Sequence, residues 1–303
     1  MNPRVTVVIP TFNRFEYLCL AIESCINQTE EVNIVVVDHG SSDATHTVPH
    51  RFGDKILYIR REFDSGPHFA WLDGCLLANT ELVKLLFDDD TLEPTYIEKT
   101  AGLFSPAIGF VFSRASIVDE DGEPSGEVFR GILPRSGIFN RHFDRRSVRR
   151  PLISPSAAIF RKEDLIDSLF IHKMPIQERT HHGVGPDHFV KLLALMRRRG
   201  FGFVNEPLAN FRAHPGSITI AARNLKEPKD FHQAYLDVAN IALVFQIVVR
   251  LRIISVLRKS EPLRRSCRKF FGIVERMRRQ SEIQIKILLR RKTGSITLRR
   301  SSK

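Results

Sequence analysis

Val5-Thr-Val-Val-Ile-Pro-Thr-Phe-Asn-Arg14 begins with five β-branched residues in a row and then turns to a proline, a hydroxyl, an amide and a cation. An uninterrupted run of this kind reads as a strand buried on both faces, the strand type of a parallel sheet. The residues that follow repeat the theme. A helix is expected around residues 16–27, where Leu18, Ile22 and Ile26 stand four apart. Asn33-Ile-Val-Val-Val-Asp38 reads as a second strand ending in a Gly-Ser-Ser-Asp turn, and Ile56-Leu-Tyr-Ile59 as a third, before Gly66 and a helical segment over 68–79. Leu82-Val-Lys-Leu-Leu-Phe87, a fourth strand, runs straight into Asp88-Asp89-Asp90. Strands alternating with helices predict an α/β fold with a mainly parallel sheet and helices on both faces.

The texture changes near residue 109. Gly109-Phe-Val-Phe-Ser113 and Ala115-Ser-Ile-Val118 lead into the turn Asp119-Glu-Asp-Gly122, which predicts an antiparallel hairpin. Residues 130–150, rich in Gly, Pro and Arg, read as a loop. Helices are expected over 163–170 and 187–199, and a strand near 201–205. Beyond residue 228 the pattern is helical and strongly basic.

The chain has 303 residues, 43% of them apolar, and a formal net charge of +12. Length and apolar fraction exclude disordered and collagenous classes. The charge is unevenly placed: residues 223–303 hold 21 Lys/Arg against 6 Asp/Glu, net +15, which leaves 25 against 28 for residues 1–222. Cys19, Cys25, Cys75 and Cys267 show no metal-ligand spacing, and the first three sit among apolar residues as small buried hydrophobes, an expectation that suits a reducing compartment. The first residues start a strand with no apolar leader before it, so the cytoplasm is the expected location.

Ligands of open α/β sheets bind beyond the carboxyl ends of the strands. There this sequence places Thr11, Asn13 and Arg14, then Asp38 and His39, then Asp64 and Gly66, then the three aspartates. Any one of these could be a turn former or cap. Three carboxylates together at the end of a buried strand are costly without a cation, and oxygen ligands favour a hard ion, Mg²⁺ or Mn²⁺. A solvated acidic turn is the alternative.

Five segments, Val7–Arg14, Val35–Asp43, Phe87–Pro94, Gly185-Pro-Asp187 and Asn210-Phe-Arg-Ala-His-Pro-Gly-Ser217, resemble the ordered motifs of family 2 glycosyltransferases. The resemblance implies a GT-A fold: a nucleotide-binding half over residues 1–100, an acceptor half over 101–222, and here a basic amphipathic helical tail over 223–303. It implies inverting transfer of a sugar from a nucleotide-sugar donor to a glycan or polyprenyl-linked glycan acceptor, as in cell-surface polysaccharide synthesis. By similarity Pro10, Thr11, Asn13, Arg14, Asp38, His39 and Gly66 would line the nucleotide pocket. Asp88 and Asp90 would contact the donor, and Asp89, Asp90 and His214 would hold Mn²⁺ or Mg²⁺. Arg212 would meet phosphate, Ser154 and Ser156 would form the acceptor floor, and Asp187 would be the general base. Asp187 also suits a helix N-cap, and His214 a turn before Pro215.

Three departures from the family pattern bear on the substrate. His39 replaces a common second aspartate, which weakens a uridine assignment. Trp71-Leu72 replace a frequent Arg-Asn pair, and Pro186 precedes the base where an acid is usual. A catalytically inactive binding or scaffold protein is the competing class. A nucleotidyltransferase is a third, disfavoured by the lack of a Gly-rich phosphate loop after the first strand. In the tail, Leu263, Cys267, Phe270, Phe271, Val274 and Met277 share one helix face among arginines. Residues 238–292 therefore read as an anionic-membrane contact, peripheral at the inner face, with packing on the catalytic domain as the alternative. Nucleic acid is not expected, since no recognition motif or interleaved aromatics accompany the charge.

Overall fold

The computed structural model describes residues 3–63, 66–129, 135–140, 154–169, 186–198 and 200–217. The tail, with its proposed membrane contact and Cys267, lies outside the described residues, as does Asp64. The β-branched runs become strands β1 (Val5–Thr11), β2 (Asn33–Asp38), β3 (Leu57–Arg60) and β4 (Leu82–Leu85). These four pair in parallel in the order β3-β2-β1-β4. Val7, Val8, Ile9, Val36, Val37, Val83 and Leu85 are buried, as strands covered on both faces require. Helix Phe15–Ile26 supplies the crossover between the parallel neighbours β1 and β2, and helix Pro67–Leu77 links β3 to β4 across two intervening strands. In the first, Leu18, Ile22 and Cys25 turn inward, while in the second Gly66 takes φ 93° just before Pro67 opens the helix.

The second half adds to the same sheet with mixed direction. It comprises β5 (Thr91–Leu92), β6 (Ile108–Val118), β7 (Pro124–Phe129), β8 (Gly137–Asn140), β9 (Ala158–Arg161) and β10 (Gly200–Arg212). The main path runs β3-β2-β1-β4-β9-β6-β10-β5, with β7 on β6 and β8 on β10. The core changes character here from aliphatic to aromatic: Phe110 stacks on Phe201 at 5.5 Å, and Phe112 lies 4.9 Å from Phe203. The expected hairpin forms between β6 and β7 around the 119–122 turn.

Residues 137–140, expected to be loop, are instead a strand. The first residues of β10 are paired with β6 on one edge and expose the other, and Gly137–Asn140 fills it, with Phe139 stacked 5.6 Å from Phe201. β10 also runs well past the expected 201–205. It passes Glu206 and Pro207 through register shifts and then resumes its pairing with β6 as far as Arg212.

Cys19, Cys25 and Cys75 are buried free thiols, as expected. Burial pushes Cys25 and Cys75 up to about 12, so neither is poised as a nucleophile. No helix among the described residues is long and apolar enough to cross a membrane.

Helix Pro186–Arg197 is seated by a close approach: a Cβ added to Gly109 on β6 would meet the Ala194 carbonyl oxygen at 2.8 Å. Arg197 then fastens this helix to Asp164 at 3.1 Å and Asp167 at 2.6 Å of helix Lys162–Ser168. Because backbone cannot yield as a side chain can, Gly109→Ala should destabilise the protein by about 1–3 kcal/mol. Thermal unfolding checks this, and an unchanged midpoint would show that the helix is not held by this contact.

Candidate active site

The strand order fixes which loops meet. β1 lies between β2 and β4, so Thr11 sits opposite Asp38 while the turn after β4 emerges alongside. Immediately after the aspartates, β5 pairs antiparallel with Ala209 and Asn210 of β10. That pairing carries Arg212 and His214 back over the acidic turn from more than a hundred residues away.

The contacts follow. Arg14 donates through one guanidinium nitrogen to Asp88 Oδ1 at 3.0 Å and Asp89 Oδ2 at 2.7 Å, and through the other to the Gly216 carbonyl at 2.9 Å. His214 Nε2 lies 3.0 Å from the same Asp89 Oδ2. The Arg212 backbone N–H donates to Asp90 Oδ1 at 3.2 Å. Tyr17 underlies both late residues, 5.0 Å from the His214 ring and 5.2 Å from the Arg212 guanidinium. Burial, and then the charge of Asp89, raise the pKa values of Asp88 and Asp90. Burial alone would lower the pKa of Arg14, yet its two aspartate partners more than offset this and raise it.

Around Asp38 a second network organises the 38–43 turn. Its carboxylate has no exposed surface and accepts from Ser41 N–H at 2.8 Å, Tyr58 hydroxyl at 2.5 Å and Arg60 Nε at 3.2 Å. Asn13 stands in the left-handed region at φ 54°, held by a bond from its N–H to Ser41 Oγ and one from Ser42 N–H to its own Oδ1. Asn tolerates that conformation better than most side chains. Asp43 accepts from Phe15 N–H and Thr45 N–H; despite the desolvation that opposes it, these bonds hold its carboxyl below the ordinary range.

The residues expected from sequence are therefore brought together unequally. Arg14, Asp88, Asp89, Asp90, Arg212 and His214 form one constellation. Pro10, Thr11, Asn13, Asp38 and His39 form the adjoining wall, with Asp38 and His39 buried. Arg212 commits its guanidinium to the backbone carbonyls of Asp89, Asp119 and Glu120, so it braces the site. Ser154 caps the short 3₁₀ turn Pro155–Ala157, and Ser156 Oγ accepts from Phe87 N–H at 3.3 Å, under the aspartates. Asp187 is the second residue of helix Pro186–Arg197.

The departures have places in the fold. Trp71 is buried and stacks on Phe87 at 5.8 Å, behind the acidic turn, and Pro186 occupies the first helical position, where its missing N–H costs nothing. Sequence reading missed Tyr17, Tyr58, Arg60 and Lys84. Tyr58 and Arg60 sit two apart on β3, a period-2 signal that could have pointed to Asp38 one strand away.

Asp89 Oδ2 meets both Arg14 Nη1 at 2.7 Å and His214 Nε2 at 3.0 Å, and this carboxylate and imidazole fit Mg²⁺ or Mn²⁺ only where substrate phosphates supply further ligands. Among the described residues no group of three such side chains stands at coordinating distance, so phosphate oxygens would have to complete the shell.

A family model described as glycosyl transferase family 2 matches residues 6–169, just over half of the chain. An uncharacterized glycosyltransferase of Rickettsia typhi is 36% identical over 98 residues, 32% of this chain and 30% of that protein. The GalNAc(5)-diNAcBac-PP-undecaprenol beta-1,3-glucosyltransferase of Campylobacter jejuni is 31% identical over 147 residues, 46% of this chain and 47% of that protein. The chain matches less than half the length of each of these relatives. The crystal structure of S. aureus TarS 1-349 with UDP-GlcNAc aligns with a TM-score of 0.60 at 18% identity, over 81% of this chain and 66% of that one, a likeness of fold.

The raised carboxyls carry a pH dependence. Because their folded pKa values exceed the unfolded one, protonation favours the fold: that contribution is full below the ordinary carboxylate range and is lost as pH rises through the shifted values. In chelator, the melting temperature of the wild type should fall with rising pH more steeply than that of Asp90→Asn. Parallel profiles would contradict the assignment.

Proposed function

The chain belongs to glycosyltransferase family 2, and on that premise we propose that it transfers one sugar from a nucleotide-sugar donor, with inversion and divalent-metal dependence, to a glycan or lipid-linked glycan acceptor. One observation carries the reading. Three aspartates, Arg14 and His214 converge beyond the carboxyl ends of β1 and β4, where a diphosphate would lie. The lipid-linked acceptor is supported by similarity to the C. jejuni enzyme, whose name specifies an undecaprenol-linked glycan.

Each residue has a role in this reading. The wall formed by Pro10, Thr11, Asn13 and the 38–43 turn receives the nucleoside, and His39 leaves the identity of its base open. Asp89 and His214 would hold the metal, with Asp90 behind them, and it would supply Lewis-acid stabilisation of the diphosphate. Arg14, paired with Asp88 and Asp89 in the structure, would offer its planar fork to the leaving phosphates. Arg212, bound to backbone carbonyls through Nε and Nη1, keeps the acidic turn fixed. Ser154 and Ser156 floor the site where donor sugar and acceptor meet. Asp187 takes the proton from the acceptor hydroxyl as that oxygen attacks the anomeric carbon and the bond to the diphosphate breaks on the opposite face. The +15 tail, by its sequence, would keep the enzyme at an anionic membrane surface where a lipid-linked acceptor resides.

Two substitutions separate chemistry from binding. Asp187→Asn should reduce transfer by about 10²–10⁴-fold, the usual worth of a general base, with nucleotide affinity retained. Asp89→Ala should weaken metal-dependent nucleotide binding about 10–100-fold. Calorimetry and a transfer assay over a panel of nucleotide sugars read both effects. Wild type that neither binds nor turns over any donor in the presence of Mn²⁺ rules out the enzyme, and equal behaviour of the two variants rules out the assignments.

A further inference from the structure

Lys84 lies in the middle of β4, four residues before Asp88, with no exposed surface. Burying an ammonium costs several kcal/mol, and a methionine of similar length would fill the same place on a strand without that cost. No carboxylate pairs with Lys84 among the described residues. Its donors go to the Leu85 carbonyl at 3.1 Å, to the Ser156 carbonyl, and over the face of Tyr96, whose ring centre is 4.9 Å away. Burial lowers its pKa to about 7, and the nearby Asp90 charge acts in the opposite sense.

What the ammonium holds is informative. The Ser156 carbonyl belongs to the 3₁₀ turn Pro155–Ala157 that leads into β9, the antiparallel neighbour of β4. The hydroxyl of that same serine accepts from Phe87 N–H, the last backbone donor before the aspartates, and lies near enough to Asp90 to favour its charged form. A chain of contacts therefore runs from a charged group inside the sheet, through one serine, to the acidic turn.

We propose that Lys84 is a positioning residue for the donor site: by clamping the Ser156 carbonyl it fixes the Ser156 hydroxyl between Phe87 and Asp90, and so sets the acidic turn against the acceptor floor. This rests on the proposed function above, because its consequence is read in nucleotide binding. Lys84 itself touches neither donor nor acceptor. Besides the direct pull of its charge on Asp90, its influence passes through the Ser156 carbonyl, which separates it from a lysine that merely fills the core.

A double-mutant cycle tests this in the full chain, with UDP and GDP as probes in the presence of Mn²⁺ and thermal unfolding as the check on folding. Lys84→Met and Ser156→Ala should each weaken binding of whichever nucleotide the wild type takes by about tenfold, as loss of an outer-shell partner does. The double variant should be no weaker than either single one, because both cut the same link. If Lys84→Met does not fold, Lys84→Leu, which also lacks any donor to the Ser156 carbonyl, takes its place in the cycle. Unchanged affinity in a folded Lys84 variant, tighter binding, or effects that multiply in the double variant would each overturn the proposal. A wild type that binds neither nucleotide removes the proposed function itself and the inference with it.

Discussion

Three carboxylates leaving the end of a buried strand repel one another in a medium that screens them poorly, and the rest of this site is arranged to compensate them. The compensation comes from several directions. Arg14 arrives from the end of β1, His214 and the Arg212 N–H from the end of β10, and the Ser156 hydroxyl from the turn before β9. None of these elements is adjacent to Asp88–Asp90 in sequence. The short pairing of β5 with β10 is what makes the arrangement possible, since it returns the chain over the acidic turn two residues after the last aspartate. Bracing by Arg212 extends the same logic to the β6–β7 turn, whose carbonyls it holds.

The first hundred residues were legible because β1, β2 and β4 are buried on both faces and helix Phe15–Ile26 is amphipathic, and the sequence boundaries fall within a residue or two of the observed ones. The later strands were harder for definite physical reasons. β10 continues through Glu206 and Pro207 by bulging, and neither residue type advertises a strand. β8 hides in a Gly- and Arg-rich stretch because among the described residues it pairs with β10 only, with Ile138 exposed and Phe139 stacked on Phe201.

The site shows the same division. The aspartates, Arg14 and His214 were visible as residue types at strand ends, and the structure brings them together. Lys84 was not visible, because a lysine within an apolar strand looks like a position facing water. Arg212 was visible as a cation, but its engagement with three carbonyls depends on a turn ninety residues away in sequence. Sequence indicates which groups a site contains; it does not indicate whether a group faces the ligand or supports a neighbour that does.

The sequence separation within this constellation has a consequence for how the protein is made. Asp89 meets a residue 125 positions later in His214, and Arg14 meets one 202 positions later in Gly216. At a synthesis rate of about 5–20 residues per second, the acidic turn leaves the ribosome many seconds before its last partner. Over that interval the first hundred residues, if folded, would carry these charges with only part of their compensation. Among the described residues β10 is the last strand to emerge, and the acidic turn gains its contacts with His214 and the Arg212 N–H only when that strand docks.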